Sequence, residues 1–170
     1  MRPRNLVPIL LVVLALVAGF VAGRLDDGDA DLGDVAGPPV PDGARQVLVE
    51  RVVDGDTVEL AGRGKARLIG VDTPETYGGR ECFGREASDF TKREVDGRPV
   101  RFTVGREARD RYGRLLVYVW KTDGQSLNAR LVAGGYARTL TIPPNDRYAG
   151  RFARLARDAR SRDAGLWGAC

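Results

Sequence analysis

Three short runs of this chain carry groups that could do chemistry together: Val53-Asp54-Gly55-Asp56-Thr57-Val58, Arg67-Leu68-Ile69-Gly70-Val71-Asp72-Thr73-Pro74-Glu75 and Asp110-Arg111-Tyr112-Gly113-Arg114. Asp56 and Asp72 offer hard carboxylate oxygens suited to a divalent cation such as calcium. Arg67 and Arg114 offer guanidinium forks that can donate two parallel hydrogen bonds to phosphate oxygens, which a lysine cannot reproduce. A site built from both would meet the needs of phosphodiester hydrolysis: a water made nucleophilic, and a stabilised five-coordinate phosphorus. Each run alone is ordinary. Asp-Gly is a common turn, Arg-Leu-Ile-Gly-Val a common strand, and most arginines are solvated.

What the chain lacks narrows the chemistry further. It contains no histidine, which removes the commonest general base, imidazole zinc sites and every Ser-His or Cys-His nucleophile pair. Catalysis must then run on carboxylates, arginines and metal-bound water, and Glu75, at the end of the second run, is one acidic group available for such work. Pro74 before it fixes the turn, so Glu75 leaves the strand in a defined direction; without its neighbours it would read as an exposed loop glutamate. Cys82 and Cys170 are the only cysteines, too few for a thiolate metal cage. In an exported protein they form one disulfide or stay as two thiols. The disulfide is the preferred reading, tying the chain terminus to the start of the first helix.

The elements that must position these residues follow from periodicity and punctuation. Residues 46–51, 56–60 and 67–71 read as three strands of a meander, with Gly62 and Gly64 marking a turn. Residues 86–95 read as a helix with Ala87, Phe90, Thr91 and Val95 inward, between Gly84 and Gly97. Residues 98–104 and 115–120 supply two more strands. A short helix over 126–133 is stopped by Gly134 and Gly135, and a longer one over 148–162 carries Phe152, Leu155, Ala156 and Ala159 on one stripe. Five strands and three helices in this order suit an α+β fold: a small closed β-barrel with helices packed against it.

Ahead of this domain the composition changes twice. Residues 6–23 carry no charge and follow Arg2 and Arg4, the layout of a signal peptide or of an N-terminal membrane anchor with the domain outside; cleavage and retention both stay open. Residues 24–45 are rich in Asp, Gly, Ala and Pro and read as a disordered acidic linker, leaving 46–170 as the domain. Residues 1–45 hold four arginines and six aspartates out of 27 basic and 23 acidic residues in the chain, so residues 46–170 keep 23 and 17, a net charge of +6. A basic domain favours polyanions, and arginine-rich composition also fits a protein that is merely soluble.

The three motifs, in this order, resemble the thermonuclease (staphylococcal-nuclease-like) family, over about residues 46–168. The resemblance implies an OB-type five-stranded barrel with three packed helices, and a calcium-dependent endonuclease hydrolysing DNA and RNA with little sequence preference to leave 3'-phosphate ends. It implies Asp56, Asp72 and the Thr73 carbonyl as ligands of Ca2+, Arg67, Glu75 and Arg114 as catalytic, and Arg111 and Tyr112 as substrate-binding, with a packing role for Tyr112 as the alternative. Asp54 fits a turn or a supporting carboxylate, and Leu166-Trp167 a closing segment that serves folding. The pair of tyrosines that the family has near the nucleotide base is absent: the Thr139 to Pro144 region offers Thr141 and Pro143, which implies weaker base stacking. The expected protein is a monomer, secreted or membrane-anchored, touching a membrane only through its apolar segment if that is kept. The alternative is a barrel that binds nucleic acid or protein and has lost catalysis.

Overall fold

The computed structural model describes residue 35, residues 37–76 and residues 81–170. The apolar segment 6–23 and most of the acidic linker lie outside the described residues, and among the described residues no helix is long and apolar enough to cross a membrane.

Five strands close a barrel in the order β1, β2, β3, β6, β5. They are β1 (Arg45–Val52), β2 (Thr57–Leu60), β3 (Gly64–Leu68), β5 (Pro99–Arg109) and β6 (Leu115–Trp120). β1, β2 and β3 form the expected antiparallel meander. β5 pairs antiparallel with both β1 and β6. The closing seam between β3 and β6 is parallel, setting Ala66 opposite Leu115 and Arg67 opposite Leu116. Closure leaves no free strand edge in the barrel. Alternation along the strands sends Val49, Val58, Leu60, Leu68, Phe102, Val117 and Val119 inward, where they are all but fully buried, the two-residue period that a strand imposes.

The run read as one strand over 67–71 is two. Gly70 takes φ +81°, a left-handed conformation costly for any residue with a Cβ, and a Cβ there would meet the Phe152 ring at 2.6 Å. The chain therefore turns out of the barrel after Leu68 and starts β4 (Gly70–Asp72), which pairs antiparallel with β7 (Arg138–Leu140), a strand absent from the expected set. Gly70 faces Leu140, and Asp72 faces Arg138.

The helices are α1 (Gly84–Val95), α2 (Leu127–Ala133), α3 (Ala149–Ser161) and the single turn α4 (Leu166–Ala169). α1 buries Ala87, Phe90, Thr91 and Val95, the expected stripe. In α2 the Ser126 Oγ accepts from the Ala129 amide at 3.3 Å, an N-cap. Asn128 is fully buried, and its Oδ1 accepts from Val119 N at 3.0 Å while its Nδ2 donates to Ile69 O at 2.9 Å. It thus supplies the hydrogen bonds lost where β3 gives way to β4, since a buried backbone polar group must find a partner. α3 buries Phe152 and Ala159, with Leu155 and Ala156 partly covered. Cys82 and Cys170 form a disulfide that joins the entrance of α1 to the end of α4.

Residues 37–40, which the composition places in the acidic linker, are fastened to the folded domain, with Val40 packed against its core. Trp120 Nε1 donates to Pro38 O at 2.8 Å, and Arg151 donates to Gly37 O at 2.6 Å.

Candidate active site

The first wall of the site is the turn from β1 into β2. Val53 N and Asp54 N both donate to Thr57 O, at 2.9 and 3.2 Å, and Asp54 Oδ1 accepts from Asp56 N at 3.1 Å, so Asp54 holds the turn as an Asx residue does. Thr91 of α1 donates from Oγ1 to Gly55 O at 2.6 Å, pinning the same turn from below. These bonds aim the Asp56 side chain inward, where the residue is only 6% exposed.

Asp56 Oδ2 accepts from Thr73 N at 2.9 Å and from Thr73 Oγ1 at 3.0 Å, and it lies 3.0 Å from a terminal nitrogen of Arg67. Burial pushes its carboxyl up to about 6; the pull of Arg67 and the Thr73 bonds oppose the shift without cancelling it, and Asp54 adds to it. A carboxylate that burial makes costly to ionise gains most from a nearby cation.

Arg67 stands at the end of β3 with its side chain 13% exposed. One terminal nitrogen donates to Leu68 O at 3.1 Å and Val71 O at 2.8 Å, besides facing Asp56. The other donates to Asp72 Oδ1 at 2.8 Å. A single guanidinium therefore bridges Asp56 of the β1–β2 turn and Asp72 of β4. The turn at Gly70 makes this possible by returning the chain past its own arginine.

The opposite wall is the loop from β5 to β6. Asp110 Oδ1 accepts from the amides of Tyr112 and Arg114, both at 2.9 Å, and Asp110 Oδ2 accepts from Arg114 Nε at 2.6 Å. Gly113 takes φ +80°, which allows this tight turn. Burial works to raise the Asp110 carboxyl, and the bonds from the Arg114 side chain and from the two amides outweigh it, so the group is held below its usual range. Tyr112 is 68% exposed, which sets aside a packing role. The guanidinium carbons of Arg111 and Arg114 lie 4.8 and 5.5 Å from its ring centroid, a cation–π arrangement.

Against this loop, and reaching back to Arg67 and β4, opens a cleft of about 470 Å³ lined by Arg67, Arg111, Tyr112, Arg114, Leu140 and Ile142 among others, with Asp56, Asp72 and Thr73 outside its lining, a size that suits a nucleotide-sized ligand. Thr141 and Pro143 are not in its lining; Leu140 and Ile142 present side chains there instead, because Leu140 pairs with Gly70 and the alternation follows from that register. Both are exposed hydrophobic residues. Asn145 closes one end, bonding through its amide to both Glu107 N and Glu107 O at 3.1 and 3.0 Å.

Of the residues read from the sequence, Asp56, Arg67, Asp72 and Thr73 meet in one cluster, and Arg67, Arg111, Tyr112 and Arg114 share the cleft. Glu75 opens on a neighbouring cavity of about 700 Å³ that also holds Glu81, Glu86 and Asp89. Glu81 braces the Glu75 main chain, accepting from Glu75 N at 3.2 Å and donating from its own amide to Glu75 O at 3.1 Å. Asn128 and Asn145 escaped the sequence reading, and Thr91 was read only as an inward residue of the first helix; an asparagine followed by no turn signal inside an apolar helix is the one hint that Asn128 carried.

A family model described as staphylococcal nuclease homologue matches residues 65–169. The chain is 40% identical over 126 residues to a thermonuclease of Staphylococcus intermedius, covering 71% of this chain and 74% of that protein. It is 39% identical over 125 residues to the thermonuclease of Staphylococcus hyicus, covering 70% and 73%. Against the endonuclease YhcR of Bacillus subtilis it is 37% identical over 145 residues, 76% of this chain and 12% of that much longer protein.

Proposed function

The chain belongs to the staphylococcal nuclease family and is a phosphodiester-hydrolysing nuclease, and from that premise we propose that it is an exported, calcium-dependent endonuclease cutting DNA and RNA with little sequence preference. The observation that carries the calcium reading is the bridging of Asp56 and Asp72 by the one guanidinium of Arg67. Two carboxylates close enough to share one cation fit a hard divalent ion, and the Thr73 carbonyl adds a neutral oxygen. Bound there, calcium would supply positive charge to the phosphate and lower the pKa of a bound water. So few protein ligands make a weak site, which suits a compartment where calcium is plentiful.

The residues of the chain divide the rest of the work. Arg114 has its Nε committed to Asp110, so its two terminal nitrogens are the ones that donate to the non-bridging oxygens of the scissile phosphate. Arg67 would donate to the same phosphate were Asp56 and Asp72 to hold calcium in place of their ion pairs with it. Glu75 accepts the proton of the attacking water at its carboxylate. Water adds to phosphorus as its proton passes to Glu75, the bond to the 5'-oxygen breaks with its electron pair leaving on that oxygen, which takes a proton from solvent, and the phosphate remains on the 3' side. Arg111 and Tyr112 bind a terminal phosphate. Contacts through phosphates read no bases, which fits sequence tolerance.

Export rests on residues 6–23 with Arg2 and Arg4 before them, as a cleaved signal or a retained anchor, followed by an acidic linker and the domain, which acts as a monomer. The Cys82–Cys170 disulfide agrees with an oxidising compartment. Hydrolysis of single-stranded and double-stranded DNA and of RNA is the direct test, run with calcium and with chelator on the wild type, Glu75→Gln and Arg114→Ala. Cleavage that needs calcium and collapses in both variants is expected; cleavage that persists in chelator would overturn the metal reading, and full activity in Glu75→Gln would remove that residue from the chemistry.

A further inference from the structure

Helix α3 carries a row of arginines that the proposed reaction does not use. Arg151, Arg154, Arg157 and Arg160 recur every third residue, against the single acid Asp158 within the helix. At about 100° per residue such a row winds by about 60° at each step, so it crosses the helix diagonally. Its middle members, Arg154 and Arg157, fall on the face opposite the Phe152 and Ala159 stripe and are exposed. Arg151 and Arg160 flank them, Arg151 held at Gly37 O and Arg160 over the Trp167 ring at 4.1 Å.

Two features of the row bear on what it could bind. Among the described residues neither Arg154 nor Arg157 has an ion-pair partner, although Asp158 sits four residues after Arg154 where a helical pair could form. In that they differ from Arg51, paired with Glu59, and Arg114, paired with Asp110. The row also connects with the candidate active site. Arg138 lies over the same Trp167 ring at 5.7 Å, and Arg138 is the register partner of Asp72. From Asp72, Arg138 and Arg160 thus lead across the Trp167 ring onto the outer face of α3.

We infer that Arg154 and Arg157, reached from the candidate active site along Arg138 and Arg160, form a second phosphate-contacting track that takes up a nucleic-acid strand beyond the scissile bond. The inference rests on the nuclease reading of the site and extends it to the length of substrate the protein holds. Guanidinium groups without carboxylate partners complement the phosphates of a polynucleotide, and contacts of this kind release counterions and weaken as salt rises. A substrate too short to reach α3 gains nothing from the track.

The test separates this inference from the reading it rests on. Binding of a fluorescent single strand of about thirty nucleotides is followed by anisotropy over a salt series, in chelator so that it is not cut, using the full chain, Arg154→Gln/Arg157→Gln and Arg154→Lys/Arg157→Lys. Two lost phosphate contacts should weaken binding about tenfold near physiological salt and reduce the slope of log K against log salt by about 1.4, with lysine restoring the slope. Cleavage of a trinucleotide with calcium should be the same in all three. An unchanged salt slope in the glutamine variant overturns the track, as does a variant whose binding to vesicles of anionic lipid is lost while its DNA slope is kept. Trinucleotide cleavage that falls in the glutamine variant while the wild type cuts would overturn the track as an extension of the site, because a substrate too short to reach α3 would then depend on it. A wild type that cuts neither would count against the nuclease reading alone, because the binding slopes stand without cleavage.

Discussion

Asp110 and Arg114 are joined twice over: one carboxylate oxygen accepts from Arg114 Nε at 2.6 Å and the other from the Arg114 amide at 2.9 Å. The side chain and the main chain of one arginine are thereby locked to one carboxylate, and the guanidinium plane is set before substrate arrives. Asp110→Asn keeps the amide contact and loses the charged one. It is expected to lower kcat by about tenfold or more through misplacement of the Arg114 fork, with a smaller change in KM, measured by steady-state hydrolysis. Because the Asp110 carboxyl is held low, this lock is fully present above the ordinary carboxylate range and lost as pH falls through its depressed folded value.

Asp56 gives the opposite sign. Its carboxyl is raised from 3.8 to about 6 in the folded protein, so the folded state binds the proton more tightly, and the stability this contributes is present below about pH 4 and lost as pH rises through about 6. In chelator, the wild type should lose stability relative to Asp56→Asn as pH rises over that window, by up to about 3 kcal/mol at 1.36 kcal/mol per pKa unit, read as a falling melting temperature. Calcium should remove the difference. Parallel melting curves of the two proteins that do not diverge with pH would show that Asp56 is not the group responsible.

Gly55→Ala should damage the site without touching a charged residue. A Cβ at position 55 would stand 2.6 Å from Thr73 Oγ1, and Thr73 must move, breaking its bond to Asp56 Oδ2. Overpacking of this kind costs about 1–3 kcal/mol, readable by thermal denaturation, and the calcium needed for half-maximal activity should rise. Thr73→Val, which loses the hydroxyl and keeps the amide, should show the second effect with less of the first.

The Cys82–Cys170 disulfide spans 88 residues of sequence. Cross-links of this span stabilise by about 2–4 kcal/mol, chiefly by restricting the unfolded chain. Cys170→Ser, or reduction of the wild type, should lower the melting temperature accordingly and leave kcat nearly unchanged, since α4 lies away from the cleft lining. A variant that loses activity at temperatures where it is still folded would contradict that separation.

The motifs of the site were readable because their chemistry and their local structure coincide: Asp54-Gly55-Asp56 is at once a turn and a carboxylate pair, and Asp110 to Arg114 a turn and a guanidinium. The barrel strands and the inward stripe of α1 were readable from period alone. What was hidden depends on partners distant in sequence. Nothing within Arg67 to Val71 tells that Gly70 breaks the strand, since the reason is the Phe152 ring in α3. β7 is three residues long, and its register against β4 decides that Leu140 and Ile142, rather than Thr141 and Pro143, present side chains to the cleft. Asn128 bonds residues in β6 and at Ile69, so its role exists only after the barrel has closed.

That closure has a consequence in time. Arg67 ends β3 and Arg114 precedes β6, and these two strands meet only in the parallel seam where Ala66 faces Leu115. Pairings between residues so far apart in the chain form slowly, because loop entropy must be lost before they are rewarded. Helices can therefore appear in a refolding chain well before the two arginines share a cleft. During refolding, recovery of phosphate binding reports the zipping of one seam, and ellipticity at helical wavelengths should rise ahead of it.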